Sequence, residues 1–408
     1  MRDSVEVAVV GSGQAGLAAA WHLAQEGIEH VVLEAGRLGE TWRSRRWDSF
    51  CLVTPNWSVQ LPGGSYRGPD PDGYMPLAEI VDYLESYAGS FKAPVLEQSP
   101  VTRLCVDPGG GFELALPEGT LRARTVVVAS GAYQRAHRPA GAEAVPSPVQ
   151  QLLAEEYANP SALPPGAVVV VGSGQTGCQL AEELHEAGRT VYLACGRCPW
   201  APRRIGGHDV VRWVVDTGFW DAGLASLPSP QARLVGNIQS TGHGGGHDLN
   251  YRTLREQGVR LLGRFLGAED GALHFGDDLA ASVAFGDARY HDFAELVRKN
   301  CRSRGMSAPE LPAPEPLAPA PAVALDVRRE SISTVIWTSG YRPEYGWVEA
   351  PVFDGLGFPV TTDGATAIPG LYFVGVHFLR KRQSSLLYGV GEDAELVVRD
   401  IAARRLEV

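Results

Sequence analysis

The sequence contains no run of eighteen apolar residues, so it lacks a segment that could cross a membrane as a single helix. Cysteine is scarce, with six residues in 408, which is typical of the reducing cytoplasm and not of a disulfide scaffold. Basic residues number 36 against 47 acidic ones, and the net charge of −11 makes a nucleic-acid partner unexpected. The first apolar segment begins at Val5, which leaves no space for a signal peptide. We therefore expect a cytoplasmic globular protein without a membrane partner.

The sequence does contain a strand–turn–helix–strand pattern at its start. An apolar run of strand length, Val5–Val10, leads directly into Gly-Ser-Gly-Gln-Ala-Gly at residues 11–16. An alanine-rich segment of helical length continues to Gly27, and a second apolar run, His30–Leu33, ends at Glu34. This order places a GxGxxG turn where a dinucleotide-binding βαβ unit has it. The pattern predicts a dinucleotide site at the first turn.

Each part of this pattern has a physical role in binding a dinucleotide. Gly11 permits the tight turn, Gly13 has no side chain to obstruct the pyrophosphate, and Gly16 lets the helix sit close to the strand. The pyrophosphate meets free backbone N–H groups at the positive end of the helix. Glu34 can accept both hydroxyl protons of an adenosine ribose.

The same pattern recurs 161 residues later, where Val168–Gly177 matches Val7–Gly16. The helices after these turns also match, Thr176–Gly188 against Ala15–Gly27. Two such matches are much less expected by chance than one. We therefore predict an α/β fold with two Rossmann-like dinucleotide-binding domains.

The two copies differ at the position that contacts the ribose. Counting 23 residues from Gly11 gives Glu34, whereas the same count from Gly172 gives Cys195, with Arg197 close behind. A carboxylate there would repel a 2′-phosphate, whereas an arginine would pair with it. The first site is therefore assigned to FAD and the second to NADPH.

The predicted cofactor contacts come from this alignment of the two copies. The FAD turn contributes Gly11, Gly13, Gln14, Ala15, Gly16, Glu34 and Ala35, and the end of a buried strand contributes Gly131. The NADPH contacts are Gly172, Gly174, Gln175, Thr176, Gly177 and Arg197, supported by Arg203 and Arg204. The alternative for the arginines is ordinary solvated surface charge.

The domain limits are predicted from changes in composition. A Pro-Gly turn at 163–166 precedes the second copy, and the proline-rich stretch Ala308–Ala322 is expected to be an extended connector back to the first domain. We expect an FAD domain of residues 1–162 and 323–408, with an NADPH domain and substrate region inserted at 163–322. Three further elements are predicted: an antiparallel meander within 95–128, a strand at Ser333–Gly340 and a final helix at Glu392–Arg404.

Beyond the two fingerprints, several motifs resemble those of class B flavin-dependent monooxygenases. They are Gly39–Arg43, Arg46–Phe50, Thr54–Trp57 and the closing Leu386–Ala394. The resemblance covers almost the whole chain and includes the bacterial branch often labelled "flavoprotein involved in K⁺ transport". It implies an enzyme that uses FAD and NADPH to insert one oxygen atom from O₂ into a small organic substrate through a flavin C4a-(hydro)peroxide. Whether nitrogen, sulfur or carbon is oxidised stays open.

The resemblance also implies roles for particular residues. Trp42, in the flavin-binding loop, and Asn56, facing the ribose and the activated oxygen, are the implied catalytic residues. Asp48 belongs to a cofactor-binding motif, and the helix at Glu392 would direct its N-terminus at the flavin pyrimidine. Asn56 has an alternative role as a turn residue, because Pro-Asn is common in turns.

One motif of this family is missing. Counted back from Tyr157, the positions of its Phe, Gly and His are Ser147, Val149 and Leu153. Since leucine cannot donate or accept a hydrogen bond, we expect the change to weaken the coupling of NADPH oxidation to oxygenation, with release of H₂O₂.

Two other features have ordinary explanations. Cys195 and Cys198 have the CxxC spacing of a redox pair, but in low-molecular-weight thioredoxin reductases, which the chain also resembles in architecture, that pair precedes the second fingerprint. We favour two free thiols. His243 and His247 flank a glycine run that is poorly preorganised for a metal, so no metal site is predicted.

Other functions remain open alongside the monooxygenase. One alternative is a flavin-dependent oxidase or NAD(P)H:acceptor oxidoreductase, and another is a non-catalytic flavoprotein that senses NADPH. The expected partners are a small-molecule substrate and O₂, and a homodimer is compatible with the sequence.

Overall fold

The computed structural model describes residues 3–317 and 323–406. In chain order, its α-helices are α1 Gln14–Gln25, α2 Glu40–Ser44, α3 Leu77–Ser90, α4 Gln175–Glu186, α5 Val210–Asp216, α6 Tyr251–Gln257, α7 Leu279–Ser303 and α8 Val390–Arg405. Its strands are β1 Ser4–Val10, β2 His30–Leu33, β3 Val95–Leu96, β4 Arg103–Val106, β5 Phe112–Leu116, β6 Gly119–Val128, β7 Arg135–Ala136, β8 Gln150–Leu153, β9 Ala167–Val171, β10 Val191–Ala194, β11 Arg204–Ile205, β12 His208–Asp209, β13 Arg260–Leu262, β14 Phe265–Glu269, β15 Ala272–Phe275, β16 Ala324–Asp326, β17 Ile332–Trp337, β18 Tyr341–Arg342, β19 Val348–Glu349 and β20 Leu371–Phe373.

The first sheet carries the first fingerprint. Its order is β19-β4-β5-β6-β1-β2-β3, with β20 also paired to β6, and β1 runs parallel to both β2 and β6. One face packs on α1 and α8 through Leu17, Leu23 and Val397, and the other packs around Phe112 and Phe358. Because both faces are covered, β1 and the end of β6 are nearly continuous valine runs. The antiparallel pairs β4-β5 and β5-β6 confirm the predicted meander.

The second sheet repeats this arrangement with parallel strands in the order β13-β10-β9-β17-β8. One face packs on α4 and α6 through Leu180, Leu184 and Leu254, and the other packs around Phe265 and Trp337. Each sheet thus has a glycine turn between a central strand and a helix. The predicted α/β class with two Rossmann-like units is confirmed.

The sheets divide the chain differently from the predicted limits at 162/163 and 322/323. Both β8 and β17 belong to the second sheet, where Trp337 pairs with Val171 on one side and Leu153 on the other. The second unit therefore starts before residue 163 and resumes after residue 322. An apolar run indicates a buried strand but not the sheet it joins, so the sequence pattern could not assign β17.

The proline-rich segment also leads elsewhere than predicted. Residues 308–317 have no regular secondary structure, and residues 318–322 of the predicted connector lie outside the described residues. The chain then enters β16, which pairs with β15 in a small antiparallel sheet, before it reaches β17. The segment therefore connects two parts of the second unit and does not return directly to the first.

α5 and α7 form a further layer on the second unit. Trp213, Tyr290 and Phe293 are buried at its centre, and Trp57 from the first unit packs against its edge. Across residues 3–317 and 323–406, no helix combines the length and apolar character needed to span a bilayer.

Candidate functional site

The first glycine turn joins β1 to α1 and leaves backbone open at the helix N-terminus. Gly11 has φ +108°, and a Cβ there would lie 2.5 Å from the Ala129 carbonyl oxygen. A Cβ on Gly16 would lie 1.8 Å from the Gly11 carbonyl oxygen, so only glycine allows α1 to pack this closely. Gly13 has no heavy atom within 4 Å of its Cβ position. The fold requires the first and third glycines, whereas the middle one leaves space for a ligand.

Glu34 comes directly after β2, and two backbone N–H groups and the Ser12 hydroxyl hold its carboxylate. Oε2 accepts hydrogen bonds from the Ser12 N–H and hydroxyl, both at 2.8 Å, and Oε1 accepts one from the Gly36 N–H at 3.0 Å. Carboxylate oxygens have capacity for further donors. The group is therefore positioned to accept ribose hydroxyls, and Ala35 beside it is exposed.

Three distant segments meet at the N-terminus of α1. The Trp42 indole N–H donates to Gln14 Oε1 at 3.2 Å, and Gln14 Nε2 donates to the Ser385 carbonyl at 3.2 Å. Ala15 is small because the loop after β20 passes beside it, and a Cβ on Gly375 would lie 2.4 Å from the Ala15 Cβ. The predicted residues Gln14, Ala15 and Trp42 are thus brought together with the glycine turn.

Two more predicted FAD contacts lie at open positions. Gly131 comes after β6 with φ +91° and has no heavy atom within 4 Å of its Cβ position. Glu392 is in the first turn of α8 and lies 2.9 Å from Lys381 Nζ and 3.3 Å from Arg380 Nη1. Burial acts to raise the pKa of Glu392, but these hydrogen bonds outweigh it and lower the pKa. Glu392 is therefore ionised and paired at neutral pH.

Asn56 and Asp48 are engaged within the protein. Asn56 is 4% exposed; its Nδ2 donates to the Asp70 carbonyl at 2.9 Å, and its Oδ1 accepts from the Met75 N–H at 2.7 Å. These contacts match the alternative role as a turn residue, and the catalytic role stays a prediction. Asp48 Oδ2 accepts from the Asn159 side chain at 2.7 Å, which ties it to the segment entering β9.

The second turn, between β9 and α4, repeats the geometry of the first. Gly172 has φ +111°, and a Cβ on Gly177 would lie 1.9 Å from the Gly172 carbonyl oxygen. Gly174 again has no heavy atom within 4 Å of its Cβ position. Gln175 donates to a loop carbonyl at 2.8 Å, and Thr176 is half-buried in the same turn of α4.

The end of β10 differs from the end of β2 as predicted. Cys195 is fully buried, and its thiol contacts the Leu193 carbonyl at 3.4 Å. Arg197 is exposed and has no ion-pair partner among the described residues. The Gly196 N–H donates to the Ser173 hydroxyl at 2.9 Å, which fixes the start of this loop. The second site therefore offers an unpaired guanidinium where the first offers a carboxylate.

Arg203 and Arg204 are placed differently from Arg197. Arg203 is 2% exposed; it lies 2.8 Å from Asp209 Oδ2 and donates to the Val53 carbonyl at 2.8 Å. Arg204 is exposed and donates to the same carboxylate oxygen at 2.7 Å. Because both guanidinium groups already have an acidic partner, they are poorly placed to bind a 2′-phosphate.

The CxxC cysteines lie behind the second turn. Cys195 and Cys198 are buried and unpaired, together with Cys178. Burial raises the pKa of Cys195, and it raises the pKa of Cys198 to about 12. Thiols with raised pKa values are poor nucleophiles, which favours the free-thiol interpretation.

The glycine-run histidines are tied to α4. His247 Nε2 lies 2.7 Å from Glu182 Oε1, and His243 lies 3.6 Å from Glu186. Within the part of the chain that the structure describes, no group of three or more His, Cys, Asp or Glu side chains is arranged to hold a metal.

The position of the missing histidine is apolar. Leu153 ends β8, and its side chain packs partly buried against the cluster that contains Trp337. Tyr157, the retained aromatic, is buried, and its hydroxyl donates to Glu183 at 3.2 Å. The effect of Leu153 on coupling stays a prediction.

Sequence reasoning assigned no role to two features near the turns. Arg46 is half-buried, with its guanidinium 5.3 Å from the Trp42 ring centroid and no ion-pair partner among residues 3–317 and 323–406. The second is a cavity of about 500 Å³ where α5 faces the N-terminus of α8. Its lining is Trp57, Gln60, Arg212, Val215, Gln383, Tyr388, Gly389 and Glu392. Trp57 and Tyr388 occur in the monooxygenase-like motifs, whereas Arg212 has no sequence signal.

Both turns fit a dinucleotide. Their middle glycines leave the approach to a helix N-terminus open, and a ribose-binding position lies after the next strand in each case. The carboxylate of Glu34 at the first site fits an unmodified adenosine ribose such as that of FAD. The guanidinium of Arg197 at the second site fits a 2′-phosphate such as that of NADPH.

Comparisons with known proteins agree with this arrangement. A family model described as pyridine nucleotide-disulphide oxidoreductase matches residues 8–215, about half of the chain. An uncharacterized CzcO-like oxidoreductase of Geobacillus kaustophilus is 32% identical over 98% of this chain and 99% of its own length. Flavin-containing monooxygenase 5 of Oryctolagus cuniculus is 28% identical over 50% of this chain and 42% of its own length.

Solved structures share the fold. A flavin-containing monooxygenase from Stenotrophomonas maltophilia superposes with a TM-score of 0.66 at 21% identity, covering 99% of this chain and 100% of that one. Bacillithiol disulfide reductase Bdr from Staphylococcus aureus gives 0.65 at 12% identity with the same coverage. The matches confirm the family resemblance, the fold class and the oxidoreductase class, and they agree with FAD and NADPH as cofactors. The chain belongs to the pyridine nucleotide-disulphide oxidoreductase family, as a CzcO-like oxidoreductase related to the flavin-containing monooxygenases.

Proposed function

We propose that this enzyme is an NADPH-dependent flavin monooxygenase that acts on a small organic substrate. In the overall reaction, NADPH, a proton and O₂ are consumed, one oxygen atom enters the substrate, and the other leaves as water. The observation that carries the proposal is the pair of open glycine turns with opposite charges at their ribose ends, Glu34 in the first and Arg197 in the second.

The residues of the first turn would hold FAD. The open backbone at Gly13 and the N-terminus of α1 would take the pyrophosphate, and Glu34 would take the ribose hydroxyls. FAD, when bound, supplies the capacity to accept hydride and to activate O₂. The Gln14–Trp42 hydrogen bond would hold α2 against this site and so restrict the entry of water.

The residues of the second turn would hold NADPH. Gly174 and the N-terminus of α4 would take its pyrophosphate, and Arg197 would pair with its 2′-phosphate. The half-buried Arg46 adds a positive charge beside Trp42. Burial lowers the pKa of Arg46 without making it neutral, since guanidinium stays protonated in proteins.

One alternative has a specific observation against it. A dithiol reductase would need reactive cysteines, but Cys195 and Cys198 are buried with raised pKa values. A flavin oxidase or NAD(P)H:acceptor oxidoreductase, and a non-catalytic NADPH sensor, would use the same two turns and differ only in the fate of O₂.

Isotope labelling distinguishes these functions. The FAD-loaded enzyme would be supplied with NADPH, ¹⁸O₂ and a panel of amines, sulfides and ketones, each tested with and without a carboxylate group. The proposal predicts NADPH oxidation with one ¹⁸O in a product, together with some H₂O₂ because of Leu153. NADPH oxidation that yields H₂O₂ alone across the panel would indicate an oxidase, and the absence of turnover would indicate a sensor.

A further inference from the structure

The cavity between α5 and the N-terminus of α8 has aromatic walls. Trp57 and Tyr388 meet edge to face with ring centroids 6.5 Å apart, and Trp220 lies 5.2 Å from Tyr388 on the other side. Its volume of about 500 Å³ is in the range of small-molecule pockets. The pocket is open to solvent, and a flat apolar group would lose part of its hydration by packing against these rings.

One charged side chain in the lining is available to a ligand. The Arg212 guanidinium lies 4.7 Å from the Trp57 ring centroid and has no ion-pair partner in the described part of the chain. A guanidinium stacked on a ring still presents its N–H groups at its edge, where they match a carboxylate. Arg212 is exposed, so it supplies a solvent-accessible cation beside an aromatic wall.

The acidic side chains beside the cavity already have partners. Glu392 and Asp221 both pair with Lys381, at 2.9 and 3.1 Å. Asp216, at the end of α5, lies 3.3 Å from Arg304. A cationic ligand would have to displace these pairs, whereas an anionic ligand would meet Arg212 directly.

The cavity also shares a structural element with the first cofactor turn. Gly389, in its lining, is the N-cap of α8, and the Gln60 N–H donates to the Leu387 carbonyl at 3.1 Å, which holds this wall in place. The loop before α8 also reaches Gln14 through Ser385. A ligand in the cavity would therefore lie next to the loop that reaches the first glycine turn.

We infer that this cavity is the substrate pocket and that its substrate is a small organic acid with a flat apolar body, held through its carboxylate by Arg212. The inference rests on the proposed function for the identity of the reaction. It adds the class of substrate and the residue that selects it.

The test measures ligand binding to the FAD-loaded protein without NADPH. The probes are 3-phenylpropionate and 3-phenylpropylamine, which share a ring and chain length but differ in charge. Binding would be followed by calorimetry and by the intrinsic tryptophan fluorescence of the protein, to which Trp57 in the cavity lining contributes. We expect the acid to bind at least about tenfold more tightly than the amine.

Variants identify the residue responsible. Arg212→Gln should weaken binding of the acid about tenfold or more, and Arg212→Lys should recover part of the loss. Arg328→Gln is the matched control, because Arg328 is exposed, lies outside the cavity and has no ion pair among the described residues. FAD content in each variant reports on folding.

Three results would overturn the inference: tighter binding of the amine, equal binding of the acid by wild type and Arg212→Gln, or displacement of the acid by NADP⁺. Because the assay contains no NADPH or turnover, failure of the proposed oxygenation would leave its result intact. Conversely, loss of acid binding would leave ¹⁸O incorporation into other substrates unaffected.

Discussion

At the scale of single residues, the two cofactor sites differ most in the residue directly after the second strand of each unit. Glu34 is held by three hydrogen bonds from the turn that would bind the pyrophosphate and from the neighbouring backbone. Cys195, at the equivalent position, is buried and contributes no charge to the surface. We propose that this difference, together with Arg197, separates the ribose preferences of the two sites.

Replacing Glu34 should weaken FAD binding. Glu34→Gln keeps the shape of the side chain but removes the charge that the ribose hydroxyls would meet. Hydrogen bonds to charged groups contribute about 1.5–3 kcal/mol, so we expect FAD affinity to fall about ten- to a hundredfold. Titrating FAD into the apoprotein would measure this, with Glu118→Gln as an exposed control. Normal FAD affinity in the Glu34 variant would show that the first turn binds another ligand.

Replacing Arg197 should affect NADPH much more than NADH. Only NADPH carries the 2′-phosphate, and a phosphate–guanidinium pair contributes about 1.5–3 kcal/mol. We therefore expect Arg197→Ala to raise KM for NADPH about ten- to a hundredfold and to leave KM for NADH nearly unchanged. Steady-state NAD(P)H oxidation checks this, with Arg328→Ala as the control. Equal use of both nucleotides by the wild type would contradict the assignment.

At the scale of elements, the glycines of the two turns have two different roles: some are needed for the fold, and others leave space for a ligand. A Cβ on Gly13 or Gly174 meets no heavy atom within 4 Å, whereas one on Gly16 or Gly177 would collide with backbone at 1.8 or 1.9 Å. The first pair can therefore be substituted without disturbing the protein, and the second pair cannot.

This geometry predicts that substitutions at Gly13 and Gly174 each impair the binding of a different cofactor. Gly13→Ala should fold and lose FAD, because the new methyl group occupies the approach to the pyrophosphate. Gly174→Ala should fold and retain its bound FAD, but it should need a much higher NADPH concentration for half-saturation. Gly16→Ala should lower the yield of folded protein through its backbone collision. Flavin absorbance, NADPH titration and circular dichroism measure these outcomes, and FAD binding by Gly13→Ala at wild-type affinity would refute the placement of the cofactor.

Local physics explains which elements the sequence could predict. The turns, their helices and the contrast between Glu34 and Arg197 depend on residues within about 25 positions of each other, so spacing was sufficient. The membership of β17 depends on pairing with Val171 across the fold, which periodicity does not encode. Arg203 was misjudged for the same reason, since nothing local shows that a partner will bury it.

At the scale of the whole molecule, a buried polar cluster joins the two units. Tyr74, from the first unit, donates to Asp209 Oδ2 at 2.5 Å, and its ring lies 4.4 Å from the Arg203 guanidinium. Arg203 also donates to the Val53 carbonyl of the first unit. Burial and the bond to Asp209 raise the pKa of Tyr74, so its hydroxyl remains a donor at neutral pH. The cluster therefore links the first unit to the segment that precedes α5.

Removing the charge of Asp209 should therefore destabilise the junction. Asp209→Asn keeps an oxygen to accept the Val211 N–H at the start of α5, but it leaves Arg203 buried beside a neutral group. Breaking a buried ion pair in this way costs about 3–5 kcal/mol. We expect a lower urea midpoint for the FAD-loaded protein and a slower NADPH-dependent reduction of its flavin.

Two further variants test whether the uncompensated charge of buried Arg203 causes the loss of stability. Arg203→Met in the Asp209→Asn background removes the uncompensated charge, so it should recover part of the lost stability. Arg204→Ala removes the exposed partner of the same carboxylate and should change stability by less than about 1 kcal/mol. If Asp209→Asn alone matched the wild type in both urea midpoint and flavin reduction, the cluster would not hold the two units in their working arrangement. If only the midpoint fell, the cluster would stabilise the fold without controlling how hydride reaches the first site.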